Sequence, residues 1–497
     1  MAIKTNTKLI LITLTQMALM ILYVYSPQYQ EEFFSLDHIS YGHISHQLYL
    51  GNWKAFFNLT WSGMSPLVAS VFQHLGMDVL SSLSASRVVF STLALAFLNN
   101  LTLKTKQSNA YQYALISVYS LLTFSIVQSV SDPALLLGLI LFFYWLFYKQ
   151  NSPLFTPILI SISIFTGLAR PVGFYLVLAT LFISLVLRWK NKSNKNQPVQ
   201  PLIISLSILI VFVAAWATLF GKINNTNPTL GKTGNYNFRY ISKLAPTVHY
   251  NSADQWKALA QVYNSDIQYQ NQPTLQRHPR AIHQWPWLDI AVHIESKTTP
   301  SSNILQTTPK SYLIKYYLAN AYIFLKDFSW WIVILLTVAL NKTTKTNWWI
   351  FIVVLALYIN VLFISHIEPR YLVPLIIVAL LILNQEDHQL RWFSKKQILL
   401  ILLITQFQYI IQFSSYCAKA LINPKPTTPH YFKQRIPEPT QYVAFETMRP
   451  AWLTVKNPNL IFLGTIKDSA QLQTISDKNI KLVTFHNDTA QFQPILP

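Results

Sequence analysis

Long apolar runs recur along almost the whole chain, and they restrict the fold more than any other feature. The runs lie near residues 8–25, 87–103, 111–130, 133–148, 154–169, 172–188, 201–220, 329–341, 347–365, 371–384 and 397–415. A helix needs roughly 20 apolar residues to cross a bilayer, so two of the shorter runs could be re-entrant. The pattern predicts a mainly α-helical polytopic membrane protein with about eleven transmembrane helices.

Composition and charge agree with a membrane location. Hydrophobic residues make up 52% of the chain and charged residues only 11%, whereas soluble domains carry roughly 25% charged residues. The net charge of +20 does not indicate nucleic-acid binding, because most basic residues lie at the ends of apolar runs. The single cysteine, Cys417, excludes an internal disulfide framework and a cysteine-based metal cluster.

The basic residues also predict orientation. In an alternating eleven-span arrangement one side collects Lys4, Lys8, Lys104, Lys106, Lys149, Arg188 to Lys195, Lys342, Lys345, Arg391, Lys395 and Lys396. Positive residues favour the cytoplasmic side, so we expect a cytoplasmic N-terminus and an extracytoplasmic C-terminus in the cell (inner or plasma) membrane.

Three carboxylates follow the first apolar run, at Glu31, Glu32 and Asp37. The whole chain holds only 18 Asp and Glu residues, so this concentration beside a membrane favours an active-site loop over chance. A solvated loop whose acids merely end a helix is the alternative.

Two further outer segments carry patterns of their own. Within the first outer loop, residues 26–86, apolar positions from Leu67 to Leu75 have helical spacing and favour an interfacial amphipathic helix over a transmembrane hairpin. The long outer loop, residues 221–328, interleaves arginines with Tyr and Trp. This mixture suits sugars and phosphates, and it equally suits anchoring at the membrane interface.

The pattern of apolar and polar residues changes after residue 425. Strand-like runs at 442–445, 460–463 and 480–485 alternate with polar segments, which predicts a small soluble α/β domain over 425–497 beside a membrane domain over 1–420. A domain this small can bury only a modest core of its own, so we expect it to dock on the long outer loop. The sequence contains no glycine-rich phosphate loop, no Ser/His/Asp pattern and no zinc-hydrolase motif.

The order of several short motifs resembles that of the GT-C superfamily, the polytopic glycosyltransferases that include protein O-mannosyltransferases and lipid A aminoarabinose transferases. The matching positions over residues 8–385 are Asp37, Tyr41, Gly51-Asn52-Trp53, Trp61 with Ser65-Pro66-Leu67, Arg87, Asp132-Pro133, Gly167-Leu168-Ala169-Arg170-Pro171 and Arg370-Tyr371-Leu372-Val373-Pro374. Two departures stand out: His38 replaces the family's frequent second acid, and no acid lies between His38 and Met77. Residues after 425 match nothing in the family.

The resemblance implies sugar transfer from a polyprenyl-phosphate carrier to a glycan, lipid or protein acceptor on the outer side of the membrane. It implies Asp37 as the general base, with Glu31 and Glu32 as second candidates, and Arg370, Arg170 and Arg87 as ligands of the donor phosphate. Supporting positions would be Asp132, Tyr41, His366, Glu368 and Tyr371. No cofactor is assigned, because the missing second acid puts a divalent metal in doubt.

Each supporting residue also has a structural explanation. His366 fits a hydrogen-bonded structural histidine, Asp132 before Pro133 fits a helix cap, and Glu368 fits an ion pair with Arg370. Arg170-Pro171 could be a membrane turn. For the whole chain the alternatives are a transporter or lipid flippase, which would show inverted repeats, and an envelope polysaccharide ligase or polymerase.

Overall fold

The computed structural model describes most of the predicted membrane region and parts of the C-terminal segment. The described residues are 2–24, 36–57, 63–105, 107–127, 129–190, 199–223, 318, 321–322, 346–364, 369–385, 396–397, 399–400, 403, 407–422, 434–436, 440–444, 453, 457, 460–465, 479–486 and 489–495. They fall into two compact units. One draws on 1–29, 84–219 and 310–424, and the other on 30–83, 220–309 and 425–497.

Twelve α-helices make up the described part of the chain before the C-terminal segment. They are α1 (Ala2–Val24), α2 (Leu36–Tyr49), α3 (Met64–His74), α4 (Val79–Leu103), α5 (Asn109–Ile126), α6 (Asp132–Tyr148), α7 (Phe155–Ala169), α8 (Pro171–Lys190), α9 (Val199–Ile223), α10 (Thr346–Ile364), α11 (Pro369–Gln385) and α12 (Phe407–Ile422). In the described residues α4, α9 and stretches of α1 and α8 are long and apolar enough to cross a membrane. The chain is thus a mainly helical, polytopic membrane protein, as the apolar runs predict.

Several predicted boundaries are shifted in the structure. The span expected from residue 87 begins earlier, at Val79, where Asp78 caps it: the Asp78 Oδ1 accepts from the main-chain N–H of Leu80 at 2.9 Å and of Ser81 at 3.1 Å. The last predicted span, 397–415, corresponds in the described residues to α12, which extends to Ile422. The span predicted at 329–341 and the outer loop at 224–317 lie outside the described residues.

A buried polar network joins three helices of the first unit. The Gln16 amide on α1 donates to Ser120 Oγ on α5 at 2.7 Å, and the Asn99 amide on α4 donates to Gln16 Oε1 at 2.7 Å. Hydrogen bonds between side chains hold helices together where lipid supplies no hydrophobic drive for association. These bonds fix which faces of α1, α4 and α5 meet.

The second unit contains a short helical region in the first outer loop. Helix α2 buries Ile44 and Leu48 against Ala55 of the 3₁₀ helix Trp53–Phe57. Gln73 of α3 donates to Ser45 Oγ on α2, so the two helices are also linked by polar side chains. The helix predicted around 67–75 is confirmed as α3, whereas the stretch predicted as a loop around Asp37 is helical from Leu36 onward. The helix can form here because residues 36–49 contain no proline, and their only glycine is Gly42.

Four strands form one sheet in the C-terminal segment: β1 (Thr440–Ala444), β2 (Leu460–Thr465), β3 (Ile480–His486) and β4 (Thr489–Pro494). The order is β2-β1-β3-β4. The strand β1 pairs in parallel with β2 and β3, and β4 pairs antiparallel with β3. Tyr442, Leu460 and Val483 pack against Val79 at the start of α4. The sheet thus shares a core with the first outer loop. Its predicted docking on the long outer loop stays a prediction, because residues 224–317 lie outside the described residues.

Candidate active site

Three of the predicted site residues meet where helices of the first unit begin. Asp132 opens α6, Arg170 lies directly before α8, and Tyr371 lies in the first turn of α11. The Arg170 Nη1 donates to Asp132 Oδ1 in an ion pair. The Arg170 guanidinium also stacks on Tyr371, with its carbon 4.8 Å from the ring centroid. We call Asp132, Arg170 and Tyr371 the Arg170 cluster.

The two members of the ion pair differ in exposure. The Asp132 side chain is 1% exposed, whereas the Arg170 side chain is 26% exposed. A buried carboxylate requires a partner charge or hydrogen bonds to stay ionised. Asp132 is therefore held by Arg170, while Arg170 keeps a surface that a further group can approach.

Local sequence explains why Arg170 lies at the turn between α7 and α8. It has extended backbone angles, φ −161° and ψ 134°, as expected for a residue that precedes proline. The turn between α7 and α8 is tightly packed. A Cβ atom at Gly167 would collide with the Phe174 ring, and a Cβ atom at Gly173 would collide with the Thr166 carbonyl. Gly167, the first residue of the motif Gly167-Leu168-Ala169-Arg170-Pro171, is thus needed for the close approach of α7 and α8.

The start of α6 is held from a second direction by Arg87 on α4. Arg87 is fully buried. Its Nη1 donates to the main-chain oxygen of Val127 at 3.2 Å, and its Nη2 donates to Ser84 Oγ at 3.1 Å. These contacts tie Arg87 to the turn that leads into Asp132. A direct role in phosphate binding stays a prediction for this residue.

The electrostatics at the Arg170 cluster favour an anion. Helices α6, α8 and α11 begin there, and the N-terminal end of a helix carries partial positive charge with unpaired N–H groups. Arg170 adds a full positive charge and Asp132 offsets it. Phosphate oxygens match both helix N-termini and the fork of a guanidinium.

The structure describes the other predicted site residues only in part. Asp37 and Arg370 lie in the first turns of α2 and α11, but their side chains lie outside the described residues. Tyr41 is on α2 and is 6% exposed, in the second unit. The remaining predicted site residues, which lie outside the described part of the chain, are Glu31, Glu32, His366 and Glu368.

One residue near the cluster is not among the predicted ones. Tyr358 on α10 is 5% exposed and interacts electrostatically with Arg170, Asp132 and Tyr371. A tyrosine in the middle of an apolar run is a weak signal, because its ring is compatible with lipid or core packing. Only the electrostatic interaction in the folded chain distinguishes Tyr358 from the other aromatic residues of the spans.

The described part of the chain contains no group of side chains suited to binding a metal ion. Among those residues, no three His, Cys, Asp or Glu side chains lie close enough to hold an ion together. The carboxylates of Glu31, Glu32 and Asp37 are not part of that set. The cluster itself offers one carboxylate, one guanidinium and one phenol, which suits anion binding rather than cation binding.

One solved structure resembles this fold along nearly its whole length: the crystal structure of ArnT from Cupriavidus metallidurans bound to undecaprenyl phosphate. The sequences are 12% identical, the match covers 97% of this chain and 94% of that chain, and the TM-score is 0.43. No protein-family model matches the chain, and no curated protein sequence does. A likeness of this size says nothing about chemistry.

Proposed function

We propose that the protein is a membrane glycosyltransferase that moves a sugar from a polyprenyl-phosphate carrier to an acceptor on the extracytoplasmic side. The observation that carries the proposal is the Arg170 cluster. Its members come from three motifs that are far apart in sequence, Asp132-Pro133, Gly167 to Pro171 and Arg370 to Pro374, and they meet at the starts of three apolar helices. Such a position suits a phosphate whose lipid tail lies in the bilayer.

In this proposal Arg170 and Arg370 bind the donor phosphate. Arg170 is partly exposed while stacked on Tyr371, and Arg370 is the residue before Tyr371. Asp132 and Tyr371 fix the plane of the Arg170 guanidinium, which limits the entropy lost when phosphate binds. Asp132 also lowers the net positive charge, so that the lipid phosphate can leave after the reaction.

The reaction itself is a displacement at the anomeric carbon. Asp37 takes the proton of the acceptor hydroxyl while the acceptor oxygen bonds to the anomeric carbon. Glu32 and Glu31 are further candidates for this base. The bond from the carbon to the phosphate oxygen breaks, and the electron pair stays on the polyprenyl phosphate. The two arginines stabilise the charge that develops on the leaving phosphate. No further reactant is required.

The first test is turnover by purified protein with a panel of labelled polyprenyl-phosphate hexoses and pentoses. Asp37→Asn is nearly isosteric, so it should keep donor binding and lower transfer by about 10²–10⁴-fold, the usual contribution of a general base. Glu32→Gln is the matched variant within the same acidic stretch.

The outcomes separate the candidates. Near-normal transfer by Asp37→Asn beside an inactive Glu32→Gln would assign the base to Glu32. Full activity in both variants would remove these two acids from the chemistry. Transport of intact donor lipid across a vesicle membrane, without release of polyprenyl phosphate, would favour the lipid-flippase alternative.

A further inference from the structure

Helix α3 (Met64–His74) buries mostly small and polar residues and turns larger apolar residues outward. The buried residues of the helix are Ser65, Pro66, Ala69, Ser70 and Gln73. On the opposite side, positions i, i+4, i+7 and i+11 are occupied by Met64, Val68, Val71 and the C-cap residue Leu75. Val71 is 54% exposed and Leu75 is 73% exposed. We call Met64, Val68, Val71 and Leu75 the α3 stripe.

Polar side chains fix the direction in which α3 faces. Gln73 is buried, donates to Ser45 Oγ on α2, and has its Oε1 3.2 Å from His46 Nδ1. A buried amide that lost these partners would be unfavourable. Rotation of α3 about its axis would break these contacts, so the outward direction of the α3 stripe is set by the packing of α3 on α2.

The arrangement is the reverse of what water favours. An amphipathic helix in a water-soluble protein turns its apolar side toward the core and its polar side toward solvent. Two other large apolar side chains of the same region, Leu50 and Trp53, are also exposed. Leu50 follows Tyr49, whose ring centroid is 4.7 Å from that of His74. The apolar surface thus continues from the end of α3 to the end of α2.

The position of this surface along the chain points to lipid as its neighbour. Helix α4, which is long and apolar enough to cross a membrane, begins at Val79, four residues after Leu75. With 25 residues, α4 has a length of roughly 37 Å, whereas the hydrocarbon core of a bilayer is about 30 Å thick. The first turn of α4 can therefore lie among the headgroups, and the end of the α3 stripe is tied to that level.

Charge and size favour lipid over a second copy of the chain. Residues 39–77 contain no Asp or Glu, and Lys54 is exposed, so nothing in this segment repels anionic headgroups. An exposed tryptophan such as Trp53 is typical of the membrane interface. A stripe on an 11-residue helix is only roughly 16 Å long. That is small beside the surface of about 800 Å² that each partner contributes to a stable protein interface.

We propose that the α3 stripe inserts into the boundary between the headgroups and the acyl chains of the membrane. The periodicity of the sequence predicts an interfacial helix without deciding its orientation, and the packing on α2 decides which side meets the lipid. The α3 stripe would thus anchor the helical region of the first outer loop at a second point, besides its covalent link to α4. This anchoring does not depend on the proposed sugar transfer.

The test is lipid quenching of a small fluorophore on single cysteines in full-length Cys417→Ser protein. The protein is reconstituted in vesicles of phosphatidylethanolamine and phosphatidylglycerol that carry a doxyl quencher near the glycerol. Labels at Val71→Cys and Leu75→Cys should be quenched at least about twofold, because an interfacial helix buries its apolar side by about 5–10 Å. A label at Gln491→Cys, an exposed position of β4, is the control and should not be quenched.

A substitution on the α3 stripe adds a second measurement. Val71→Asp places a carboxylate where the proposal has lipid, so it should remove most of the quenching of a label at Leu75→Cys. Val71→Ile keeps the side chain apolar and should preserve that quenching. Because Val71 is exposed, neither change disturbs the packing of α3 on α2.

Three results would overturn the proposal. Unquenched labels at Val71 and Leu75 would show that the α3 stripe does not meet lipid, and equal quenching at Gln491 would show that the contact is unspecific. A Leu75→Cys protein that is unquenched but forms disulfide-linked dimers would identify a second copy as the neighbour. The readout requires no sugar transfer, so failure here leaves the glycosyltransferase proposal untouched.

Discussion

At the scale of single residues, the paired and stacked environment of Arg170 is the most informative feature. A guanidinium that is held on one side by a carboxylate and on another by an aromatic ring is fixed in plane and direction. The same contacts would serve a structural ion pair that only closes the turn before Pro171. A phosphate ligand and a structural ion pair predict different effects of an Arg170 substitution on lipid-phosphate binding.

Replacement of Arg170 by lysine separates them. Arg170→Lys keeps the charge beside Asp132 but loses the bidentate fork, so we expect polyprenyl-phosphate affinity to fall about tenfold. The measurement is a titration of polyprenyl phosphate against purified protein. Arg435→Lys makes the same change at an exposed position of the C-terminal segment and should have no effect. Unchanged affinity in correctly inserted Arg170→Lys protein would leave the ion pair with a structural role only.

At the scale of elements, the C-terminal sheet is held by a small core. Tyr442 on β1 is fully buried and packs edge-on against Phe492 of β4, with ring centroids 5.5 Å apart. Its neighbours include Val79 at the start of α4. Burial raises the pKa of the Tyr442 phenol well above its usual value, because the phenolate would lose its hydration.

This pKa shift predicts that the sheet weakens in alkaline solution. Above about pH 10 the unfolded chain releases the tyrosine proton while the folded sheet retains it, so unfolding is favoured by up to about 1.4 kcal/mol per pH unit. Below pH 10 both states keep the proton, and the phenol adds no pH dependence. We expect cleavage in the sheet by a protease active at high pH to accelerate between pH 10 and 11.

Tyr442→Phe provides the reference for that experiment, because it keeps the ring and removes the ionisable group. The ratio of wild-type to variant cleavage rates cancels the pH dependence of the protease. A ratio that stays constant from pH 8 to pH 11 would mean that Tyr442 does not ionise differently in the two states.

At the scale of the whole molecule, the distribution of basic residues implies a defined orientation. Lys104 and Lys149 belong to the set predicted to be cytoplasmic. Asp37 and the C-terminal sheet are then predicted on the other side. Proposed chemistry with a lipid-linked donor on the extracytoplasmic face depends on this orientation.

Cysteine labelling in intact cells tests it in a Cys417→Ser background. Met77 and His486 are exposed positions of the second unit, and Lys104 is an exposed position beyond α4. We expect Met77→Cys and His486→Cys to react with an impermeant maleimide directly, and Lys104→Cys to react only after permeabilisation. The reverse pattern would place Asp37 in the cytoplasm and remove the proposed site from the outer face.

Much of the architecture follows from local sequence. The apolar runs at 133–148 and 154–169 predict α6 and α7 to within two residues, and the periodicity of 442–445, 460–463 and 480–485 predicts β1, β2 and β3. These predictions succeed because hydrophobic length and period depend only on neighbouring residues. The early start of α4 depends on the cap at Asp78, and the helix at Asp37 shows that a polar stretch can continue as a helix.

The sequence by itself therefore determined the class of protein, most helices and strands, and the motifs from which Asp132, Arg170 and Tyr371 were selected. Tertiary structure alone decided that Arg170 meets both Asp132 and Tyr371, that Tyr358 interacts electrostatically with them, and that the C-terminal sheet shares a core with Val79. The physical reason is that contacts across tens or hundreds of residues depend on how helices pack. Many packings satisfy the same apolar pattern, and close approaches such as that of Gly167 to Phe174 select among them.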